Sequence, residues 1–206
     1  MEGALIEIIF RTLCDPFSDT QAEAAYLFGQ TSKNQESVFE TGVDLIKRDR
    51  VDKLLIPDSP PRGGYPGYDV WYQALTAYGL DGSKIIGIPT GSYPNLNTLV
   101  EAQALVRYVQ KKEVTKLFVV AAPFHQPRAF MTTVTIALGE FPELRIYNRV
   151  GTALPWNENV THSQGTLRAP RSELIQHELE RIERYQHKGD LAAADEILTY
   201  LNWRDS

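Results

Sequence analysis

Two short stretches of the chain combine residue types that do chemistry. In "VVAAPFHQPRAF" (119–130), small apolar residues stop at a proline, and His125 and Arg128 follow three positions apart. That spacing puts both on one face at a helix start, where backbone N–H groups and the helix dipole favour an anion. An arginine adds a bidentate donor for phosphate or carboxylate. An imidazole takes or gives a proton near neutral pH. The plainer reading is a histidine that caps the helix and an arginine paired with an acidic neighbour. The place of both, just beyond an apolar run, favours a ligand site. Neither belongs to an apolar stripe, so substituting either is expected to spare the fold.

The second stretch is "PNLNTLVEA" (94–102), where Thr98 and Glu101 stand in T-x-x-E spacing before an apolar-periodic helix. A capping box accounts for both. Asn97 is then left over, because the cap is already supplied. Ser37 and Glu40 repeat the S-x-x-E pattern and read as a cap alone. Asp69 opens a helix and reads as its N-cap. The glycines of "RGGYPGYD" (62–69) make a flexible loop, and neither phosphate-loop glycine pattern is present. The G-x-S-x-G elbow of many serine hydrolases is also missing. Asp58, Asp69 and Glu101 could hold Mg²⁺ through water, but no spacing demands it. His162, in a polar loop, and His177 and His187, on tail helices, are given no role.

Five apolar runs must position these residues: 24–29, 53–57, 84–89, 116–123 and 144–150. They lack polar alternation, which is how strands buried on both faces of a parallel sheet read. Segments 37–50, 68–80, 97–112 and 125–141 lie between them with helical periodicity. Strand and helix in alternation predict a Rossmann-like, doubly wound, mainly parallel five-stranded α/β sheet. Ligands bind such sheets outside the carboxyl ends of the strands. The loops 29–34, 58–69, 90–98 and 124–128 all fall there. Strand order 3-2-1-4-5 is favoured; order 2-1-3-4-5 also gathers these loops. After residue 150 the chain turns polar and loop-like to residue 170. A C-terminal appendix of two amphipathic helices follows, near 172–187 and 191–202. Ser172 and Asp190 are their expected N-caps, and Gly189 is the C-cap between them.

The chain has 206 residues, 43% of them apolar, enough for one domain with one good core. Its net charge of −5 has well-mixed signs, which argues against nucleic acid as a main partner. One cysteine allows no internal disulfide, and no Cys/His spacing points to zinc. The first residues make an amphipathic helix with Leu5, Ile8, Ile9 and Leu13 on one face. Its apolar part is too short for a membrane span. A cytoplasmic protein without a membrane anchor is expected.

Taken together, "AYLFG", "PNLNTLVEA" and "VVAAPFHQPRAF" resemble the YdcF/SanA-like family (domain of unknown function 218) over about residues 24–150. The resemblance rests on a strand followed by glycine, an Asn-Thr helix start with a following glutamate, and a late His-x-x-Arg-Ala. It implies a Rossmann-like sheet with these residues at one crevice, and it carries an acid of that family onto Asp69. It implies no reaction. The combined expectation is a small anionic ligand, phosphorylated or nucleotide-like, with hydrolysis or group transfer as the chemistry if there is any. His125 is then the general acid or base, Arg128 the anion clamp, and Glu101 the group that orients His125 or acts as second acid/base. Gly29, Gln30, Asn97, Thr98 and Asp69 bind the ligand. The alternatives are a non-catalytic module for an adenosine-containing ligand such as S-adenosylmethionine, and a partner-binding protein using its C-terminal helices.

Overall fold

The computed structural model describes residues 2–17, 20–91, 96–162 and 165–206. Five parallel strands make one sheet: β1 (Ala22–Leu27), β2 (Val51–Asp58), β3 (Ile85–Pro89), β4 (Lys116–Val120) and β5 (Arg145–Asn148). Their order is β3-β2-β1-β4-β5. The chain therefore crosses the sheet after β3, and the crevice opens between β1 and β4, which pair in register from Ala24↔Leu117 to Leu27↔Val120. The five apolar runs of the sequence thus map onto neighbouring parallel strands.

Both faces of the sheet are covered. Ala24, Tyr26 and Phe28 point into one core with Leu117 and Val119; Ala25 and Leu27 point into the other with Phe118 and Val120. Burial on both sides is why these runs show no alternation. The first core packs against α1 (Glu2–Leu13), α4 (Thr98–Lys111) and α5 (Gln126–Glu140). The second packs against α2 (Gln35–Lys47) and α3 (Tyr68–Ala77), where Phe39 and Trp71 meet edge to face. On α1, Ile8 is buried, whereas Leu13 is exposed. No helix among the described residues is long and apolar enough to cross a membrane.

The segment read as a loop from 151 to 170 holds an antiparallel hairpin, β6 (Asn159–His162) and β7 (Leu167–Pro170). Its Val160 and Ala169 form a small third cluster with Ala122 and Phe124, beyond the end of β4. The hairpin was illegible because each strand has four residues and little apolar character.

The C-terminal helices α6 (Leu174–Lys188) and α7 (Ala194–Arg204) are built into the domain. The Tyr200 hydroxyl donates to Leu144 O (2.8 Å) and accepts from the Ile146 N–H (2.7 Å), covering edge strand β5. Arg204 is buried and pairs with Asp15 (2.6 Å), which also accepts from the Asn148 N–H (2.9 Å). Several expected caps fall elsewhere. Glu173 and Ala193 stand at the N-caps of α6 and α7, in place of Ser172 and Asp190, while Gly189 does end α6 with φ 75°. Ser37 lies inside α2, behind an Asn34 N-cap. Asp69 lies in the first turn of α3, whose N-cap is Gly67 at φ 103°.

Candidate functional site

One cavity of about 90 Å³ opens at the carboxyl end of β1 and β4. Gly29, Gln30, Asn97, Thr98, Glu101, His125 and Arg128 line it. Of the residues assigned to the ligand site from the sequence, only the exposed Asp69 lies outside this lining. The structure adds Tyr65, His162, Arg181 and Tyr185 to the wall.

Asn97 resolves the second motif. It caps α4 itself, its Oδ1 accepting from the Val100 N–H (3.0 Å). The capping box expected from Thr98 and Glu101 therefore does not form, and both side chains turn to other partners. Glu101 Oε2 accepts from the Gly29 N–H (2.7 Å) and the Tyr26 hydroxyl (3.0 Å). Gly29 suits this approach, because a Cβ there would lie 3.1 Å from Leu96 and 3.3 Å from Glu101. Glu101 is 3% exposed. Burial pushes its carboxyl up to about 7, against the pull of the Gly29 and Tyr26 hydrogen bonds and of the Arg128 and Arg62 charges.

His125 stands at the N-cap of α5 but makes no side-chain cap. The Gln30 amide nitrogen reaches both Phe28 O (3.3 Å) and His125 Nδ1 (3.2 Å). A carbonyl only accepts, so the amide donates in both directions and Nδ1 is an acceptor. The neutral ring then carries its proton on Nε2, which donates to Thr98 Oγ1 (3.0 Å). Burial, followed by the Arg128 charge, holds this imidazole well below its ordinary range. His125 is a neutral, internally bonded ring, and Glu101 is the group that titrates near neutrality.

Arg128 is 8% exposed, whereas the expectation that its loss would spare the fold took it to lie outside the core. Its Nε donates to Glu178 (2.5 Å), and its Nη1 donates to Thr98 Oγ1 (2.7 Å). Thr98 Oγ1 so receives bonds from His125 and Arg128. With both lone pairs engaged, its own hydroxyl is left to act as a donor. Glu178 is the hub of the charged wall, accepting from Arg128, from Arg181 (2.5 Å) and from His162 Nε2 (2.9 Å). Burial would raise its carboxyl, but Arg128 and the His162 hydrogen bond hold it well below the ordinary range. Two guanidinium groups thus meet on one carboxylate beside the cavity.

Sequence reasoning missed Glu178 and His162. Glu178 had a signal: it lies four residues from both Leu174 and Ile182 and shares their buried stripe on α6. An acid in such a stripe needs a buried partner. His162 had none, because its strand was unreadable. The loop after β1 is held over the site by Thr31, which donates to Thr161 O (2.8 Å), and by buried Arg171, which donates to Asn34 Oδ1 (3.0 Å), Lys33 O (3.1 Å) and Pro155 O. Residues 92–95, including Pro94 and Asn95 of the second motif, lie outside the described residues. Among the described residues, no group of three His, Cys, Asp or Glu is arranged to hold a metal ion. No protein-family model and no curated protein matches the chain.

Proposed function

We propose that the cavity binds a small anionic group, a phosphate or a similar oxyanion, and that Glu101 moves a proton there in hydrolysis or group transfer. The observation that carries the reading is the Thr98 hydroxyl, committed to donate between His125 and Arg128 on a wall that also holds Arg181. An anion supplies the acceptor that such a donor lacks. The helix starts at Asn97 and His125 add their dipoles from the same side. The roles then differ from those first assigned. His125 positions Thr98, Arg128 sets the field, and Glu101, with a carboxyl near 7, is the acid–base. In hydrolysis, Glu101 accepts a proton from the attacking water as the new oxygen bond forms. It returns that proton to the leaving oxygen as the old bond breaks.

The likeness to the YdcF/SanA-like family supports a ligand crevice at these residues and adds no reaction. A module for an adenosine-containing ligand calls for a long slot with apolar walls, whereas this cavity is compact and mostly polar. A partner-binding tail calls for an apolar stripe on α6 and α7, and among their described residues only Ile175 and Trp203 are large, apolar and exposed. Calorimetric titration with phosphate, sulfate and acetate tests the reading. Binding of one of them in wild type, lost in Thr98→Val and kept in Thr98→Ser, is the expected result. No binding of any at millimolar concentration overturns it.

A further inference from the structure

A second chamber, of about 230 Å³, adjoins the first and shares Asn97, Thr98, Arg128 and Tyr185 with it. The residues it adds are Leu99, Thr132, Asp190 and Leu191. Their chemistry differs from that of the inner cavity. Leu191 is buried and Leu99 half-buried, so both offer hydrocarbon. The Thr132 hydroxyl proton is committed to Arg128 O (2.8 Å) and gives the chamber no donor. Tyr185 adds a ring wall from α6. Asp190, at the turn between α6 and α7, is the one acid lining this chamber among the described residues. Its turn is fixed by its N–H donating to Tyr185 O (2.9 Å).

We infer that the outer chamber holds the organic part of the ligand, and that the substrate is an anionic ester of a compact, mainly apolar group with a hydrogen-bond donor at its far end. The inference rests on the inner cavity being the anion site. Arg128 and Thr98 border both chambers, so a group held by them projects its substituent outward past Leu99 and Tyr185. An apolar body gains by leaving water there. A donor or cation at its far end meets the Asp190 carboxylate. The two chambers together reach only the low end of the ~300–1,000 Å³ usual for ligand pockets, which fits a single-ring compound.

Four probes separate the two readings: inorganic phosphate, methyl phosphate, phenyl phosphate and O-phosphotyramine, each titrated calorimetrically. Phenyl phosphate is expected to bind wild type about tenfold more tightly than methyl phosphate, the effect of burying part of a ring. O-phosphotyramine is expected to gain roughly threefold more, the modest value of a rim charge pair. Leu99→Ala should reduce the preference for phenyl over methyl, and Asp190→Asn should abolish the gain of phosphotyramine over phenyl. Both positions are at least partly exposed, and Tyr185→Ala reads the same wall if Leu99→Ala does not fold. Equal binding of the methyl and phenyl esters, with phosphate still bound, overturns the outer chamber and leaves the anion site standing. Failure of phosphate and all three esters to bind overturns both.

Discussion

Replacing Glu101 with glutamine separates the proton on this group from its shape. Glutamine keeps a carbonyl oxygen for the Gly29 N–H and the Tyr26 hydroxyl, and it cannot ionise. In the wild type, burial raises the carboxyl from 4.5 to about 7. That difference corresponds to about 3 kcal/mol. Its sign follows from which state holds the proton. Below pH 4.5 both folded and unfolded chains are protonated here, and nothing is lost. Between 4.5 and about 7 the unfolded chain releases the proton while the folded chain keeps it, so stability falls as pH rises. Above about 7 the whole cost is present. The group is 3% exposed, so solvent screening takes little from this figure. Glu101→Gln should therefore match wild type within about 1 kcal/mol at pH 5 and exceed it by about 3 kcal/mol at pH 8. For a chain of this size, that is a rise in melting temperature of roughly 6–12 °C at pH 8. Calorimetric melts of both proteins at the two pH values measure it. A difference that does not change between pH 5 and pH 8 would refute the assignment of Glu101 as the titrating group.

Five further outcomes follow from the same contacts. Glu178→Ala should cost about 3–5 kcal/mol in denaturant unfolding, because it removes the ion-pair partner of buried Arg128. Arg128→Ala should cost less, because Glu178 keeps Arg181 and the His162 hydrogen bond, but still more than the first expectation that it folds normally; a midpoint equal to wild type in either variant would count against the hub. Since the Glu178 carboxyl is held below its ordinary range, its contribution is present above about pH 4.5 and is lost as pH falls through the lowered value, which acid titration of wild type against Glu178→Gln measures. Phosphate binding at pH 7.5 should take up protons, since an anion beside Glu101 raises its carboxyl further; calorimetry in buffers of different ionisation enthalpy reads the uptake, and Glu101→Gln should abolish it. Removing residues 190–206 should abolish cooperative melting, because it uncovers β5 and leaves Asp15 buried without Arg204.

The site was partly legible because its residues follow strand ends. Asn97, Thr98, His125 and Arg128 could be placed beyond apolar runs with no knowledge of contacts. Their partners could not. Thr98 and Glu101 fit a capping box by spacing, and only the fold shows that Asn97 takes the cap and that Glu101 reaches Gly29, 72 positions away. The tail misled for a related reason. Amphipathic periodicity announces a packed helix but not the surface it packs on, so it did not single out Glu178.

By itself the sequence determined the alternation of buried strands and amphipathic helices, and from it the doubly wound sheet. Those patterns are local, set by a period of 2 or 3.6 along one segment and by burial on one face or two. The tertiary structure alone decided which charges meet. It chose the order β3-β2-β1-β4-β5, so that the loops after β1 and β4 share one crevice. It also carried Glu178 from α6 to Arg128, 50 positions back. Hydrogen bonds and ion pairs act over about 3 Å of space. Whether two residues distant along the chain come that close depends on how every intervening element packs, which no single segment records.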